Sequence, residues 1–341
     1  MGLQQLRFVA FAALCFTISA AAQETGFAAK RPIVAGACPT CPWGAIAIIT
    51  REIMKPAGYD VQVCYTCSGV DNPRIVAERR TTPPPREGGR KLPPSAQGPI
   101  DFGVTNLQRL NYAYLGEHDY ANDKPHKNLR AIAFLEHPQY LIVAAKAETF
   151  ITDLAQIKER KLPVRVLSDG TPLTRKVLDS YEITEAALKE WGGELVDRNT
   201  HDRHSFDVII FVGYLGNTPE SNIWYEVSQK NDLRFLSLRT DLLDQLAAEF
   251  KMERGTIPLG YLRGVDRPIP TVVRSGHVIY GRDDMPDSFA YDLAKAFDTE
   301  KRRLIWSHIQ LSYNPDTIWR TLSVPLHPGA AAYYREKGYM R

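Results

Sequence analysis

No catalytic signature stands out in this 341-residue chain. It contains no G-x-S-x-G turn, H-E-x-x-H pair, phosphate-loop glycine run or dinucleotide fingerprint. Nucleophilic hydrolysis, zinc hydrolysis and nucleotide chemistry therefore have no motif to rest on. Charge of one sign is also lacking: 42 Lys and Arg face 39 Asp and Glu, a net +3. Such a balance gives no reason to expect nucleic acid or an anionic membrane as a partner. Beyond the amino terminus no apolar run approaches the roughly 20 residues that span a bilayer. No tandem repeat is found. These absences point away from an enzyme, and no cofactor is expected.

At the amino terminus, Arg7, the apolar run Phe8–Ile18 and the small residues Ser19, Ala20, Ala21 and Ala22 have the layout of a secretory leader. Residues 1–22 are expected to be removed, leaving an exported chain of periplasmic type, long enough for two lobes. Four cysteines remain, as Cys38-Pro-Thr-Cys41 and Cys64-Tyr-Thr-Cys67. In an oxidising compartment an even count favours structural disulfides. A four-thiolate zinc site or a redox-active C-x-x-C are the alternatives. Either would support an exported metal- or thiol-dependent enzyme.

Along the mature chain, short β-rich runs alternate with helical patterns, the signature of sheets with crossover helices. Strands are expected at Pro32–Ala35, Asp60–Tyr65, Ile100–Val104, Tyr140–Ala145, Val164–Leu167, Asp207–Val212, Leu233–Leu238 and Thr271–Tyr280. The intervening segments read as helices. Residues 79–99, rich in Pro and Gly, cannot hold a helix or central strand and read as an exposed loop. The pattern divides into lobe 1 over 23–136, lobe 2 over 137–265 and a return to lobe 1 over 266–341. The expected fold class is α/β, two mixed sheets with flanking helices joined by a hinge.

Four strands run into a small-residue turn and then a proline at a helix start: Val34-Ala-Gly-Ala37 before Pro42, Thr66-Cys-Ser-Gly69 before Pro73, Leu167-Ser-Asp-Gly-Thr171 before Pro172, and Val212-Gly-Tyr-Leu-Gly-Asn-Thr218 before Pro219. Glycine lets a ligand approach the backbone, and helix starts offer unpaired N–H groups to anionic oxygens. In open α/β sheets ligands lie beyond the carboxyl ends of strands, where these turns fall. The candidate ligand-binding residues are Trp43, Thr66, Ser68, Asn72, Thr105, Asn106, Ser168, Thr171, Tyr214 and Asn217. His201 and His204 read as a solvated loop, and His327 as a helix cap.

The order of these motifs resembles the TAXI family of solute-binding subunits of TRAP transporters. The segments that carry it are Thr66-Cys-Ser-Gly-Val-Asp-Asn72, similar to that family's T-x-G-S-x-x-N stretch, Asp101-Phe-Gly-Val-Thr-Asn106, Leu129-Arg-Ala-Ile-Ala133, Ser168-Asp-Gly-Thr171, Phe211–Pro219 and the closing Pro325-Leu-His-Pro-Gly-Ala-Ala-Ala-Tyr-Tyr-Arg-Glu-Lys-Gly338. The resemblance implies a type II periplasmic-binding fold whose lobes close on a small organic acid or amino acid and deliver it, as a monomer, to a TRAP membrane permease. A ligand-sensing module is the other role such a fold serves. Two departures fall at the implied pocket: Cys38-Pro-Thr-Cys41-Pro-Trp43 replaces a glycine- and tyrosine-rich turn, and Cys67 displaces an expected serine.

Overall fold

A computed structural model describes residues 26–36, 41–67, 71–84, 93–197, 204–214, 219–307, 309 and 312–340. The expected leader, Cys38, Ser68 and Asn217 lie outside these residues. Lobe 1 begins with β1 (Ile33–Ala35), α1 (Pro42–Met54), β2 (Gln62–Cys64), α2 (Asn72–Ala77), β3 (Phe102–Asn106) and α3 (Leu107–Leu115). An 18-residue strand, β4 (Leu129–Lys146), then leaves it for lobe 2. There follow α4 (Ala155–Glu159), β5 (Arg165–Ser168), α5 (Pro172–Ser180), α6 (Glu185–Glu190), β6 (Glu194–Asp197), β7 (Val208–Tyr214), α7 (Pro219–Lys230), β8 (Leu233–Phe235), α8 (Thr240–Glu249) and β9 (Glu253–Ile257). The chain returns on β10 (Ile269–Arg282) and ends with α9 (Asp287–Thr299) and α10 (Pro328–Glu336).

Hydrogen bonding links the strands in the order β2-β1-β3-β10-β4-β7-β5-β6, with β8 also on β4 and β9 also on β10. This order is a near-palindrome. On one side three parallel strands in the order second-first-third meet β10. On the other, β6, β5 and β7 repeat second-first-third and meet β4. Two long antiparallel strands, β4 and β10, belong to both halves. The result is the two-lobed type II periplasmic-binding architecture. The two expected sheets are joined into one hydrogen-bonded path, because each long strand is shared. The expected strand at Tyr140–Ala145 is only the lobe 2 half of β4; Pro138 in the middle of β4 obscures a continuous strand pattern.

Each half-sheet buries both faces. In lobe 1, Val34, Ile46, Phe102, Val104, Ile279 and Phe289 form one layer, and Ile75, Leu110, Phe134, Val278 and Tyr280 the other. In lobe 2, alternate residues of β4 separate the layers: Leu141, Val143 and Ala145 face α5 and α8, while Ile142 and Ala144 face α7. Burial on both faces explains why these strands read as continuous apolar runs.

Gly276 occupies the point where the long strands cross. A Cβ there would lie 2.2 Å from the Leu135 carbonyl oxygen, at φ +152°, and the strand register shifts between Arg274 and Gly276. At the far end, His327 caps α10 by accepting from the Gly329 amide at 3.3 Å. Gly329 itself lies so close to α9 that a Cβ would meet the Asp287 carbonyl oxygen at 2.0 Å. The closing His-Pro-Gly is thus a packing device that fastens α10 against α9.

The proline-rich segment does not hang free where it is described. The Ala96 amide bonds to the Val63 carbonyl at 3.0 Å, and the Tyr65 amide to the Ser95 hydroxyl at 3.0 Å. It lines the outer edge of β2, which would otherwise present unpaired backbone groups. No helix among the described residues is long and apolar enough to cross a membrane.

Candidate functional site

The carboxyl ends of the parallel strands in the two lobes converge on one short stretch of the crossing strands. Asn106, the last residue of β3, pairs with His277 of β10, which in turn pairs with Leu135 of β4. From the other side Tyr214, the last residue of β7, pairs with Gln139 of β4, which pairs with Arg274 of β10. The described ends of β3 and β7, one from each lobe, therefore meet at a common floor formed by residues 135–140 and 273–277.

A chain of hydrogen bonds occupies this floor. The indole nitrogen of Trp43, in the first turn of α1, donates to His277 Nδ1 at 3.1 Å. His277 Nε2 lies 3.1 Å from His137 Nδ1. The Gln139 side-chain Oε1 accepts from Arg274 Nη1 at 3.4 Å. His137 and His277 are each only 2% exposed. Burial, with His137 and Arg274 adding to it, holds His277 well below the usual imidazole range, so it is neutral. Over the other side of the indole, the Arg109 guanidinium stands 5.4 Å from the ring centre, within cation–π range. The two lobes also touch beside this floor: Tyr112 of α3 donates to the Phe250 carbonyl at 2.7 Å, and Lys251 pairs with Glu117.

The candidates from sequence fall into distinct environments. Trp43 stands at the floor as described. Thr105 is fully buried, and its hydroxyl has no hydrogen-bond partner among the described residues. Tyr214 ends β7 beside Gln139. Other candidates hold the protein's own backbone. Asn72 is fully buried, donates to the carbonyls of Ala35, Cys67 and Val104 at 3.0–3.2 Å, and accepts from the Tyr280 hydroxyl. Its amide ties the end of β1, the turn after β2 and the middle of β3 together. Thr66 donates to the Pro83 carbonyl at 2.6 Å, and Asn106 caps α3 by accepting from the Arg109 amide at 2.7 Å.

In lobe 2, Ser168 accepts from the Gly170 amide at 3.1 Å, and Thr171 caps α5. The start of α5, expected to receive a ligand's anionic oxygen, already holds one. Asp169 Oδ1 accepts from the Thr171 amide at 3.1 Å, the Thr171 hydroxyl at 2.9 Å and the Thr174 hydroxyl at 2.7 Å. An internal carboxylate satisfies this helix start. The residues that sequence reasoning missed are Arg109, His137, Gln139, Asp169, Arg274 and His277. Asp169 was visible in the Ser-Asp-Gly-Thr turn; the others become neighbours only through the crossing.

Cys64 and Cys67 are joined by a disulfide, and Cys41 is disulfide-bonded as well. Disulfide sulfurs are not thiolate ligands, so the four-thiolate zinc alternative falls. No cluster of three or more His, Cys, Asp or Glu suited to a metal occurs among the described residues. His204, read as a loop residue, contacts Glu226 and Lys230 at 3.0 Å on the partly exposed start of α7's far turn.

Residues 95–338, most of both lobes, match the family model described as NMT1-like family. The chain belongs to the NMT1-like family. This NMT1-like protein is also similar to several solved structures. Iron-bound HitA from Pseudomonas aeruginosa aligns at 13% identity over 90% of this chain and 99% of that chain, with a TM-score of 0.39. A binding protein component of an ABC phosphonate transporter, also from Pseudomonas aeruginosa, aligns at 11% identity over 83% and 80%, with a TM-score of 0.39. Substrate-binding domain 2 of GlnP from Lactococcus lactis, in open conformation, aligns at 9% identity over 81% and 89%, with a TM-score of 0.37. The fold of the NMT1-like protein rests on its own strand order rather than on these likenesses.

Proposed function

We propose that this chain is an extracytoplasmic solute-binding protein that captures a small organic anion or amino acid between its lobes and delivers it to a TRAP-type membrane permease. The observation that carries the reading is the convergence of β3 and β7, from opposite lobes, on the floor at residues 135–140 and 273–277. A solute held there would touch both lobes at once. Closure gains both sets of contacts only in the bound state, so binding shifts the balance from open to closed. The lobes in this reading are 23–136 with 266–341 and 137–265, moving about the crossing strands.

An anionic solute is favoured by charge. Arg109 is half-buried beside Trp43 and makes no salt bridge among the described residues, so its donors suit a carboxylate. Trp43, Thr105 and Tyr214 remain candidate contacts, as do Ser68 and Asn217. The protein acts as a periplasmic monomer without chemistry on its cargo. The disulfide at Cys64–Cys67 supports this over thiol chemistry, because both sulfurs are buried and spoken for.

A thermal-shift screen of the purified protein with succinate, 2-oxoglutarate, L-glutamate, L-glutamine, glucose and spermidine tests the proposal. A binder raises the melting temperature by mass action, about 2.7 kcal/mol at a hundred times Kd. A rise with the acids and none with glucose or spermidine is expected. No rise with any of the six, together with turnover of a model substrate, would remove the binding role.

A further inference from the structure

Trp43 belongs to α1 and His277 to β10, 234 residues apart in the chain, yet they share a hydrogen bond whose direction is fixed by chemistry. An indole nitrogen only donates, so His277 Nδ1 must accept and carry no proton. The single proton of a neutral His277 then sits on Nε2, which faces His137 Nδ1 at 3.1 Å. The Gln139 amide nitrogen stands 3.5 Å from the same Nε2, but two donors cannot bond, and Arg274 keeps the Gln139 oxygen turned towards itself. The proton therefore goes to His137, which must be unprotonated at Nδ1. The relay runs one way, from Trp43 through His277 to His137, and joins α1 to both crossing strands.

We propose that His277 is the positioning residue of the cleft, a neutral Nε2-protonated imidazole that fixes the Trp43 indole, and with it the Arg109 guanidinium, relative to the hinge. This rests on the binding role proposed above. Several observations carry it. His277 sits one step from the register shift between Arg274 and Gly276, where the β4–β10 ladder is irregular. Its ring meets the indole edge-on, at 88° and 6.5 Å, so rotation of the imidazole displaces the indole. The groups around it are Trp43 from α1, His137 and Gln139 from β4, and Arg274 from β10, with Arg109 of α3 behind the indole. The nearest charges thus discourage a second proton, which would set two donors against each other at Trp43.

Two substitutions separate the halves of the relay. In His277→Asn the side-chain oxygen falls near the old Nδ1 and can still accept from Trp43. In His277→Gln the polar atoms fall near the old Nε2, keeping His137 and losing Trp43. The indole 1H–15N resonance of Trp43, assigned by its loss in Trp43→Phe, should stay near wild type in His277→Asn. In His277→Gln it should shift and exchange with solvent about tenfold faster, the worth of one hydrogen bond. Dissociation constants for succinate and L-glutamate should rise about tenfold in His277→Gln and less than about twofold in His277→Asn.

The tautomer itself is read on the unaltered protein, by the 15N shifts of His277. A protonated Nδ1, an indole resonance unmoved in His277→Gln, or equal losses in both variants would each overturn the positioning role. Should neither probe bind the wild type while tautomer and indole behave as expected, the proposed ligand class fails and the positioning of Trp43 stands.

Discussion

The helix starts of the two lobes look alike in sequence and are finished in opposite ways. Both α1 and α5 follow a small-residue turn and begin with proline. At α5 the dipole and free amides are met internally: Thr171 caps the helix and Asp169 places a carboxylate among the first-turn donors. At α1 the capping position is Cys41, which forms no side-chain cap bond, and no acid lies in the first turn. That turn is held from outside, through the Trp43 bond to the hinge. A helix start whose polar groups are satisfied internally contributes rigidity. One whose cap is missing and whose first turn holds no acid has no such internal partner among the described residues. The lesson is that a motif marks where a site is possible, while the partners of its polar atoms decide whether it is one.

The largest expected effect is at Asn72, whose side chain holds the strands of lobe 1 together. Asn72→Ala removes a buried amide bonded to β1, β3 and the turn after β2, and urea unfolding should show a loss of about 3 kcal/mol. A loss below about 1 kcal/mol, or an affinity change without a stability change, would point to ligand binding as the main role of Asn72. Asp169→Ala comes next, with an expected cost of about 1–2 kcal/mol as the α5 cap is lost. If the carboxylate is only a filler, the variant should also admit an external anion at the vacated start, seen as sulfate-dependent stabilisation that the wild type lacks.

Acidity gives a smaller effect centred on the α1 side. Unfolded histidine takes up a proton near pH 6.5, whereas buried His277 resists it to well below that value. The unfolded state therefore binds more protons as the pH drops through about 6.5, and stability falls from there towards the folded value. Denaturant midpoints at pH 7.5 and 5.5 should differ less in His277→Asn than in the wild type. A residual slope is expected from His327, which burial also holds below the ordinary range. Smallest of all is Thr105→Val. Replacing a buried hydroxyl without a partner should leave stability within about 1 kcal/mol or raise it, and weakened succinate binding would identify the hydroxyl as a ligand contact.

Much of the fold was legible residue by residue. The Pro-opened helices α1, α2, α5, α7 and α10 begin where proline places them, because a residue without an N–H suits the first helical turn. Buried strands such as β7 announce themselves as apolar runs. The misses share a cause. β6 and β9 are short and polar, and gain strand geometry only from a neighbour; β9 is largely exposed. The full length of β4 was hidden by Pro138, which the crossing accommodates at a point where one edge leaves the regular ladder.

The floor of the candidate site was not legible in the sequence. Local chemistry marked Trp43, Thr105 and the glycine-opened turns, since a cap or a small residue acts on neighbours in sequence. His137 and His277 lie 140 residues apart and are unremarkable singly. By itself the amino-acid sequence determined the alternation of strands and helices, the helix starts and the disulfide-capable pairs, all of them consequences of short-range sterics and hydrogen bonding. Only the tertiary structure decided which polar atoms were consumed internally and which imidazole would meet the indole, because those outcomes depend on two strands crossing, and no local interaction encodes a crossing.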